Sequence, residues 1–327
     1  MKVIRSLEEL PHGFARPVAT IGNFDGVHFG HQSLMRYLTE RAAAVDGTST
    51  VVTFSPHPLA VLAPNHAPRQ IQTLEQKLGT LEALGIDLVI VIPFTTEFAQ
   101  TRAADFATHI LADQIGVHEV HVGPNFAFGY RREGSFNLLK EVGDARGFLV
   151  GKIPQVQFRG SRVSSTAVRQ ALVAGQVALA RRLLGRPFAL AGEIVHGDAI
   201  GAGLTVPTAN LQTSNELIPR SGVYVTLLVV DGRRRRAVTN VGVRPTISGG
   251  APDSPLRIET HVLDFKGSLY GRQLSLEFLV RLRDERRFPG RDALLAQIRR
   301  DIARASRYFG WLERVAPALL AEGAGVA

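Results

Sequence analysis

Two histidines three residues apart, His28 and His31, are the side chains of this sequence best placed to act on a phosphate. They follow a strand-like run and open the first helical pattern, where unpaired backbone N–H groups and the helix dipole favour an anion. Imidazole there can donate to a phosphate chain and stabilise charge that builds up during transfer. The alternative is a turn whose histidines only cap a helix. The candidate residues of this loop are Gly22, Asn23, Phe24, Asp25, His28, Gly30 and His31.

A segment after a later strand-like run could hold an aromatic ligand. Asn125 offers a donor and an acceptor to a ring edge, and Phe126 and Phe128 offer stacking surfaces. Taken alone, either phenylalanine is more often a core residue. A second segment of this kind also ends a strand-like run, and its candidate residues are Pro56, His57 and Pro58.

Ser165 and Thr166 stand at the start of another helical pattern. In isolation they are ordinary N-caps. Arg169 lies one turn further along on the same face, and a cap followed by a guanidinium makes a cradle for a phosphate. The three residues are therefore candidates for binding a nucleotide.

Thr208 and Asn210 follow a glycine-rich stretch that could close over nucleotide phosphates. Their hydroxyl and amide oxygens are hard ligands that can share Mg²⁺ with such phosphates. Glu259 lies in a later strand-like run, and the pattern alone favours a glutamate on a solvated strand face. The candidates that precede the stretch are Gly192, His196, Gly197 and Asp198.

The two halves of the sequence differ in the secondary structure that they predict, and these elements must position the candidate residues. The first half alternates short apolar runs with helical patterns, which predicts an α/β domain with a parallel, Rossmann-like sheet covered on both faces. Ligands of such sheets bind beyond the carboxyl ends of the strands. From Arg186-Pro187 onward strand-like runs follow one another, which predicts an antiparallel β-barrel or sandwich with a terminal helix over 292–308. We therefore predict domains at residues 1–185 and 186–327.

The composition limits the function classes. The chain has 327 residues and no cysteine, which suits two domains and excludes disulfides, thiolate zinc sites and cysteine nucleophiles. We expect a cytoplasmic protein without a membrane partner, since no apolar run approaches the roughly 20 residues of a membrane helix. The net charge of +9 would attract any phosphate. The basic residues are spread along the chain, and the run 233–236 is typical of a solvated hairpin turn, so we expect no nucleic-acid partner.

Four segments of the first half resemble one known module. The loop from Gly22 to His31 resembles the HxGH motif of the nucleotidyltransferase superfamily, in the form found in bacterial bifunctional riboflavin kinase/FAD synthetases. The segment 54–58 resembles the FDPHP motif of that adenylyltransferase module, with Ser55 in place of aspartate. The segments 122–129 and 163–169 resemble its flavin-contacting segment and its ISSTxIR motif.

The resemblance implies that the phosphate of FMN attacks the α-phosphorus of ATP, with Mg²⁺ present, to give FAD and pyrophosphate. It implies that His28, His31 and Arg169 carry the catalysis by orientation and charge stabilisation. It assigns ATP to the residues of the first loop together with Ser165, Thr166 and Arg169. It assigns the flavin to Pro56, His57, Pro58, Asn125, Phe126 and Phe128.

The second half resembles the riboflavin kinase module, because the PTAN run at 207–210 and the runs at 240–246 and 258–265 occur in the family's order. The resemblance implies that Thr208 and Asn210 bind Mg²⁺ and that Glu259 is the base for the ribityl 5′-hydroxyl. It implies that Gly192, His196, Gly197 and Asp198 contact ATP or riboflavin. The expected ligands of the whole chain are riboflavin, FMN, FAD and ATP.

The glycine-rich loop departs from the family pattern. Ile200 and Ala202 stand where arginines are common, and Val206 replaces an aromatic residue. Two missing guanidiniums would weaken phosphate contacts, and a missing ring would reduce packing on the flavin. The alternative is therefore an FMN adenylyltransferase whose C-terminal domain binds flavin but is impaired as a kinase.

Overall fold

The computed structural model describes residues 1–10, 13–153, 157–158, 161–195, 208–243, 256–265 and 267–321. Its contacts separate two compact units, Met1–Ser164 and Ser165–Ala327. Each unit buries an apolar core of its own. Among the helices of the described ranges, none is long and apolar enough to cross a membrane.

A parallel sheet of six strands forms the centre of the first unit. Its strands are β1 (Lys2–Ile4), β2 (Pro17–Ile21), β3 (Thr48–Ser55), β4 (Leu88–Pro93), β5 (Glu119–Val122) and β6 (Leu149–Lys152). They lie in the order β1-β4-β3-β2-β5-β6. After β2, the chain adds β3 and β4 on one side of that strand, and β5 and β6 then lie on its opposite side. In such sheets the ligand crevice lies where the order reverses, and here that place is the carboxyl ends of β2 and β5.

Helices connect these strands and cover both faces of the sheet. They are α1 (Phe29–Ala44), α2 (Pro58–Leu62), α3 (Leu74–Ala83), α4 (Ala103–Asp105), its continuation as a π-helix (Phe106–Ile115), and α5 (Phe136–Arg146). Alternate side chains of β2 point to opposite faces, so Val18 packs in one apolar cluster with Leu38, and Ala19 packs in the other with Leu111. The predicted parallel sheet with two covered faces is confirmed. A short antiparallel ribbon, β7 (Gln157–Phe158) and β8 (Ser161–Arg162), completes the unit.

A closed antiparallel barrel forms the second unit. Its strands are β9 (Phe188–Val195), β10 (Ala209–Thr213), β11 (Gly222–Val230), β12 (Arg233–Val243), β13 (Leu256–Val262) and β14 (Gln273–Arg283), in the order β10-β13-β12-β11-β14-β9. Three buried threonines on neighbouring strands satisfy one another: the hydroxyl oxygen of Thr239 lies 2.8 Å from that of Thr226 and 3.0 Å from that of Thr260. The predicted barrel is confirmed, and so is its terminal helix, α8 (Arg291–Val315).

Two helices precede the barrel, α6 (Ser165–Val173) and α7 (Val177–Leu184). Both belong to the second unit, and the backbone N–H of Arg220 donates to the Leu172 carbonyl at 3.1 Å. These helices account for the difference between the division after Ser164 and the boundary predicted after residue 185. Where independent folding begins remains a prediction.

The arginine run at 233–236 continues beyond its hairpin turn. The turn itself is Asp231-Gly232, with φ of 50° and 74°, and the arginines then form the first residues of β12. Arg234 is largely buried and donates to Glu277 at 3.1 Å and 3.0 Å. The hairpin turn is thus confirmed, but the interpretation of the run as solvated is wrong for Arg234, because cross-strand pairing extends into the run and the Glu277 carboxylate pairs with that guanidinium.

Candidate active sites

The first helix begins at the predicted histidine loop. His28 is the N-cap of α1, and its Nδ1 accepts a hydrogen bond from the His31 backbone N–H at 3.3 Å. A nitrogen that accepts carries no proton, so the neutral ring holds its proton on Nε2. The N-cap role and a phosphate-binding role use different atoms, because the cap uses Nδ1 and a phosphate would accept from Nε2–H.

His31 stacks on His28, with ring centroids 3.7 Å apart and planes 15° apart. The edge of Phe24 packs against it at 5.2 Å. Burial, His28 and Lys77 lower the pKa of His31 well below its ordinary value, so the ring is neutral near pH 7. Its Nδ1 is buried and has no hydrogen-bond partner among the described residues. A buried polar atom without a partner indicates a place for a bound group.

The backbone of the loop turns sharply between these residues. Phe24, Gly26 and Val27 have φ of 47°, 80° and 36°, and non-glycine residues adopt such values at a cost. Asp25 holds the turn in place, since its buried carboxylate accepts from the backbone N–H groups of Ile71 at 3.0 Å and Gln72 at 3.4 Å. Asp25 therefore stabilises the turn through its hydrogen bonds to Ile71 and Gln72. Its contact with ATP remains a prediction.

Asn23 links this loop to the second predicted segment. Its amide lies 3.1 Å from Nε2 of His57, while Nδ1 of His57 accepts from the Leu59 backbone N–H at 3.1 Å and caps α2. Because Nδ1 accepts, Nε2 of the neutral His57 ring carries the proton. The amide of Asn23, whose Nδ2 is the atom placed at 3.1 Å, must therefore exchange its nitrogen and oxygen for the oxygen to accept from Nε2.

A cavity of about 540 Å³ lies at the carboxyl ends of the strands in the first unit. It brings together five of the predicted flavin-binding residues with Asn23: its lining includes His57, Pro58, Asn125, Phe126 and Phe128. Pro56, the sixth, is exposed and does not line it. Phe126 and Phe128 stack at 5.2 Å with planes 20° apart. The two stacked rings form one aromatic wall of the cavity, and an aromatic wall with a few polar groups nearby suits a planar ring.

Other residues that line this cavity were not predicted from the sequence. Phe54, Phe94 and Phe98 form an aromatic cluster, with centroid distances of 5.6–6.1 Å. Arg131 and Arg132 stand at the rim with φ of 50° and 62°. The phenylalanines resemble core residues in the sequence. Their position directly at the end of β3 and after β4 is the signal that could have identified them.

The other predicted nucleotide-binding residues, Ser165, Thr166 and Arg169, lie on the first turns of α6, in the second unit. Thr166 is exposed, whereas Ser165 and Arg169 are half-buried. Thr166 and Arg169 are three residues apart and so share one face of the helix. Their assignment to ATP remains a prediction.

In the barrel, the strand register aligns the predicted kinase residues. Asn210 of β10 pairs directly with Glu259 of β13, and Glu259 pairs with Asn240 of β12. Directly opposed residues point to the same face, so the three side chains form a row across the strands. Thr208 precedes Asn210 by two residues and lines the same cavity as Glu259 and Asn240, about 320 Å³ in volume. Asn240 was not among the predicted site residues.

Glu259 is half-buried, and its Oε1 accepts from Nη1 of Arg257 at 3.1 Å. Within the described ranges no donor reaches its Oε2. Arg257 also lines the cavity, so a guanidinium stands beside the carboxylate where an anionic substrate would lie. The arrangement can accept a proton at Oε2 and bind a phosphate nearby.

Of the predicted glycine-loop residues, His196, Gly197 and Asp198 lie outside the described residues, as do Ile200, Ala202 and Val206. Gly192 lies in β9 opposite Thr213, and an added Cβ would lie 1.9 Å from the Gln212 carbonyl oxygen. The absence of a side chain at 192 is thus explained by close strand packing.

Helix α8 forms the remaining wall of the barrel cavity. Its Asp301 is only 2% exposed and accepts from Nη2 of Arg283 at 2.8 Å and from the Gln297 amide at 2.8 Å. Leu294, Ile298 and Ile302 give this wall its apolar surface. A buried ion pair therefore holds α8 against β14.

Comparisons with known proteins cover both units. A family model described as FAD synthetase matches residues 12–167, and one described as riboflavin kinase matches residues 184–309. The chain is 41% identical over 305 residues to the bifunctional riboflavin kinase/FMN adenylyltransferase of Pseudomonas fluorescens, covering 93% of this chain and 97% of that protein. It is 39% identical over 312 residues to that of Escherichia coli (strain K12), covering 95% and 98%.

One solved structure has the same fold over nearly the whole chain. It is a protein of Streptococcus pneumoniae described as a macrolide-efflux protein, which matches with a TM-score of 0.82 and 29% identity over 92% of this chain and 97% of that one. The two family models match the part of the chain that contains the sheet and the part that contains the barrel. The chain belongs to the family of bifunctional riboflavin kinase/FMN adenylyltransferases.

Proposed function

We propose that this chain phosphorylates riboflavin to FMN at the barrel and transfers an adenylyl group from ATP to FMN at the sheet. The observation that carries the proposal is the cavity of the first unit, about 540 Å³ in volume, in which an aromatic wall adjoins Asn23 of the histidine loop. Family membership supports both activities and ATP as the co-substrate.

Adenylyl transfer needs no nucleophile from the protein. A phosphate oxygen of FMN forms a bond to the α-phosphorus of ATP as the bond to the bridging oxygen breaks, and pyrophosphate leaves. His28 and His31 stabilise the charge on the phosphates: Nε2–H of His28 donates, and the stacked neutral ring of His31 adds its polar edge. The aromatic cavity orients FMN for this attack. We assign Ser165, Thr166 and Arg169 to the ATP phosphates on the strength of their motif.

Riboflavin phosphorylation needs a base, because a primary alcohol is a poor nucleophile. Glu259 takes the proton of the ribityl 5′-hydroxyl as that oxygen bonds to the γ-phosphorus of ATP and ADP leaves. Arg257 stands beside the carboxylate and can bind the transferred phosphoryl group.

The donor set of the barrel fits Mg²⁺. The Thr208 hydroxyl and the Asn210 amide oxygen lie two residues apart along the chain, and the register places Asn210 beside Glu259. These are hard oxygen donors with little charge, which suits an ion that shares its shell with nucleotide phosphates. When bound, the ion would neutralise phosphate charge, while Thr208 and Asn210 would fix the position of the nucleotide.

The test is incubation of the purified protein with riboflavin, ATP and Mg²⁺, followed by chromatographic identification of the flavins. We expect FMN and FAD from riboflavin, and FAD from FMN. Conversion of FMN alone would favour the kinase-impaired alternative that the loop at Ile200 and Ala202 motivates. Formation of neither product would contradict the proposal.

A further inference from the structure

A buried lysine lies behind the histidine loop and has no role in the mechanism above. Lys77 of α3 is 8% exposed, and its Nζ donates to the Asn23 carbonyl at 3.0 Å and to the Thr53 hydroxyl at 3.2 Å. It forms no ion pair with any described residue. Lysine is rarely buried without a carboxylate partner, because an ammonium loses its hydration there.

The contacts of Lys77 join the loop to the sheet. Asn23 is a loop residue that borders the flavin cavity. Thr53 lies in β3, and its hydroxyl also donates to the Asn23 carbonyl, at 3.4 Å. The ammonium thus fixes the backbone carbonyl of Asn23, the residue whose side chain contacts the His57 ring. Loss of the charge or of the hydrogen bonds of Nζ would therefore act directly on the position of Asn23.

The charges that face Lys77 come from two elements. The loop after β2 contributes Asp25, whose attraction favours the ammonium, and α1 contributes His31, on which Lys77 acts in turn. β3 contributes only the neutral Thr53. Asp25 is already engaged by the backbone N–H groups of Ile71 and Gln72, so its charge is partly offset. Desolvation outweighs Asp25 and lowers the pKa of Lys77 from 10.5 to about 8.

We propose that Lys77 is a positioning residue of adenylyl transfer: its buried ammonium ties the Asn23 carbonyl to β3 and places a positive charge behind the loop that receives the ATP phosphates. The charge acts in a site of low dielectric, where it stabilises phosphate charge more than an exposed lysine would. The same charge disfavours protonation of His31 and so keeps that ring neutral. The inference rests on the proposed function of the first unit.

The first test compares Lys77→Met with Lys140→Met, an exposed lysine of α5 in the same unit. Methionine keeps the length of the side chain and removes its charge. We expect kcat for FMN adenylylation to fall about 10- to 100-fold in Lys77→Met, below the loss for a donor in direct contact with the reacting atoms. The riboflavin kinase rate of the same molecule should stay near wild type, and Lys140→Met should change neither activity.

The second test uses pH and separates this role from a structural one. The wild-type adenylylation rate should fall as the pH rises through about 8, because the ammonium then loses its proton. Stability should move the other way: the folded chain binds this proton less tightly than the unfolded chain, whose pKa is near 10.5, so folding gains stability as the pH rises from about 8 to 10.5. For the same reason Lys77→Met should melt no lower than wild type at neutral pH.

The outcomes are distinguishable. If the wild type makes no FAD from FMN, the proposed function fails first. If the wild type is active and Lys77→Met is equally active, or keeps the same decline above about pH 8, the inference is overturned. It is also overturned if activity and Tm fall together, since that result would assign Lys77 to folding alone. Because the kinase site lies in the other unit, a near-UV circular dichroism spectrum and a Tm that match wild type are the check that the first unit of the variant is folded.

Discussion

In the proposed function, His31 is the residue on which adenylyl transfer would depend most directly. Its neutral ring stacks on His28 and has an unpartnered buried nitrogen. We predict that His31→Ala lowers the rate of FMN adenylylation by about 10²- to 10³-fold, as removal of a preorganised charge-stabilising group does. The measurement is FAD formation from FMN and ATP by chromatography. FMN formation from riboflavin should persist, and a parallel loss of both activities in a folded variant would contradict separate sites.

A substitution of Glu259 tests the proposed riboflavin kinase activity at the level of a single residue. Glutamine at this position keeps the size of the side chain and most hydrogen bonds but loses the basicity. We predict that Glu259→Gln lowers riboflavin phosphorylation by about 10²- to 10⁴-fold and leaves FMN adenylylation near wild type, because that reaction starts from an ionised phosphate. The wild-type kinase rate must be measured first. A glutamine variant that phosphorylates riboflavin equally well would remove Glu259 from the role of base.

Sequence motifs identified these residues, but a motif does not show which groups lie behind it. The histidine loop was predicted because glycines and histidines at a helix start have few other uses. Lys77 could not be predicted, since a lysine in a helical pattern ordinarily faces solvent and only the packing of α3 against β3 buries it. Asp25 was assigned to ATP by its motif, whereas its carboxylate accepts from the backbone of 71–72.

At the scale of elements, the attachment of α8 closes the barrel cavity. Asp301→Ala would leave the Arg283 guanidinium buried without its partner, so we predict a loss of about 3–5 kcal/mol in the free energy of unfolding. Glu313→Ala is the matched control on the same helix: its pair with Arg236 is about half exposed on both sides, and its loss should cost roughly 0–1 kcal/mol.

The chain's single tryptophan, Trp311, lies on α8, so its fluorescence in a denaturant titration follows this unit. Equal effects of the two alanine substitutions would show that the buried pair does not hold the helix.

Elements with a clear period can be predicted within a few residues of their bounds: the sequence pattern predicts a helix over Thr73–Leu84, and the observed helix is Leu74–Ala83. Capping explains the accuracy there, since Thr73 and Gln76 form a reciprocal capping box. The strands β1, β6, β7, β8 and β10 were not predicted. Each has five residues or fewer, so its pattern of alternation is too short to recognise, and only pairing with a neighbour defines it.

For the whole molecule, the division into units leads to a prediction about fragments. We expect residues 186–327 to fold by themselves, because they contain the closed barrel and α8. A fragment of residues 165–327 should melt at a higher temperature, since it also contains α6 and α7, which bury Leu172, Leu183 and Leu184. Near-UV circular dichroism and thermal melts check this. A molten shorter fragment would show that the folding unit begins before residue 186 and includes at least α7.

The central claim is that one chain holds two separate activities joined by a diffusible product. The most direct measurement mixes equal amounts of His31→Ala and Glu259→Gln with riboflavin, ATP and Mg²⁺ and follows the flavins by chromatography. Neither variant alone should make FAD from riboflavin in quantity. The mixture should make it after a lag, because FMN released by the first variant is adenylylated by the second. A mixture that accumulates FMN without FAD, or makes no FMN, would contradict the account.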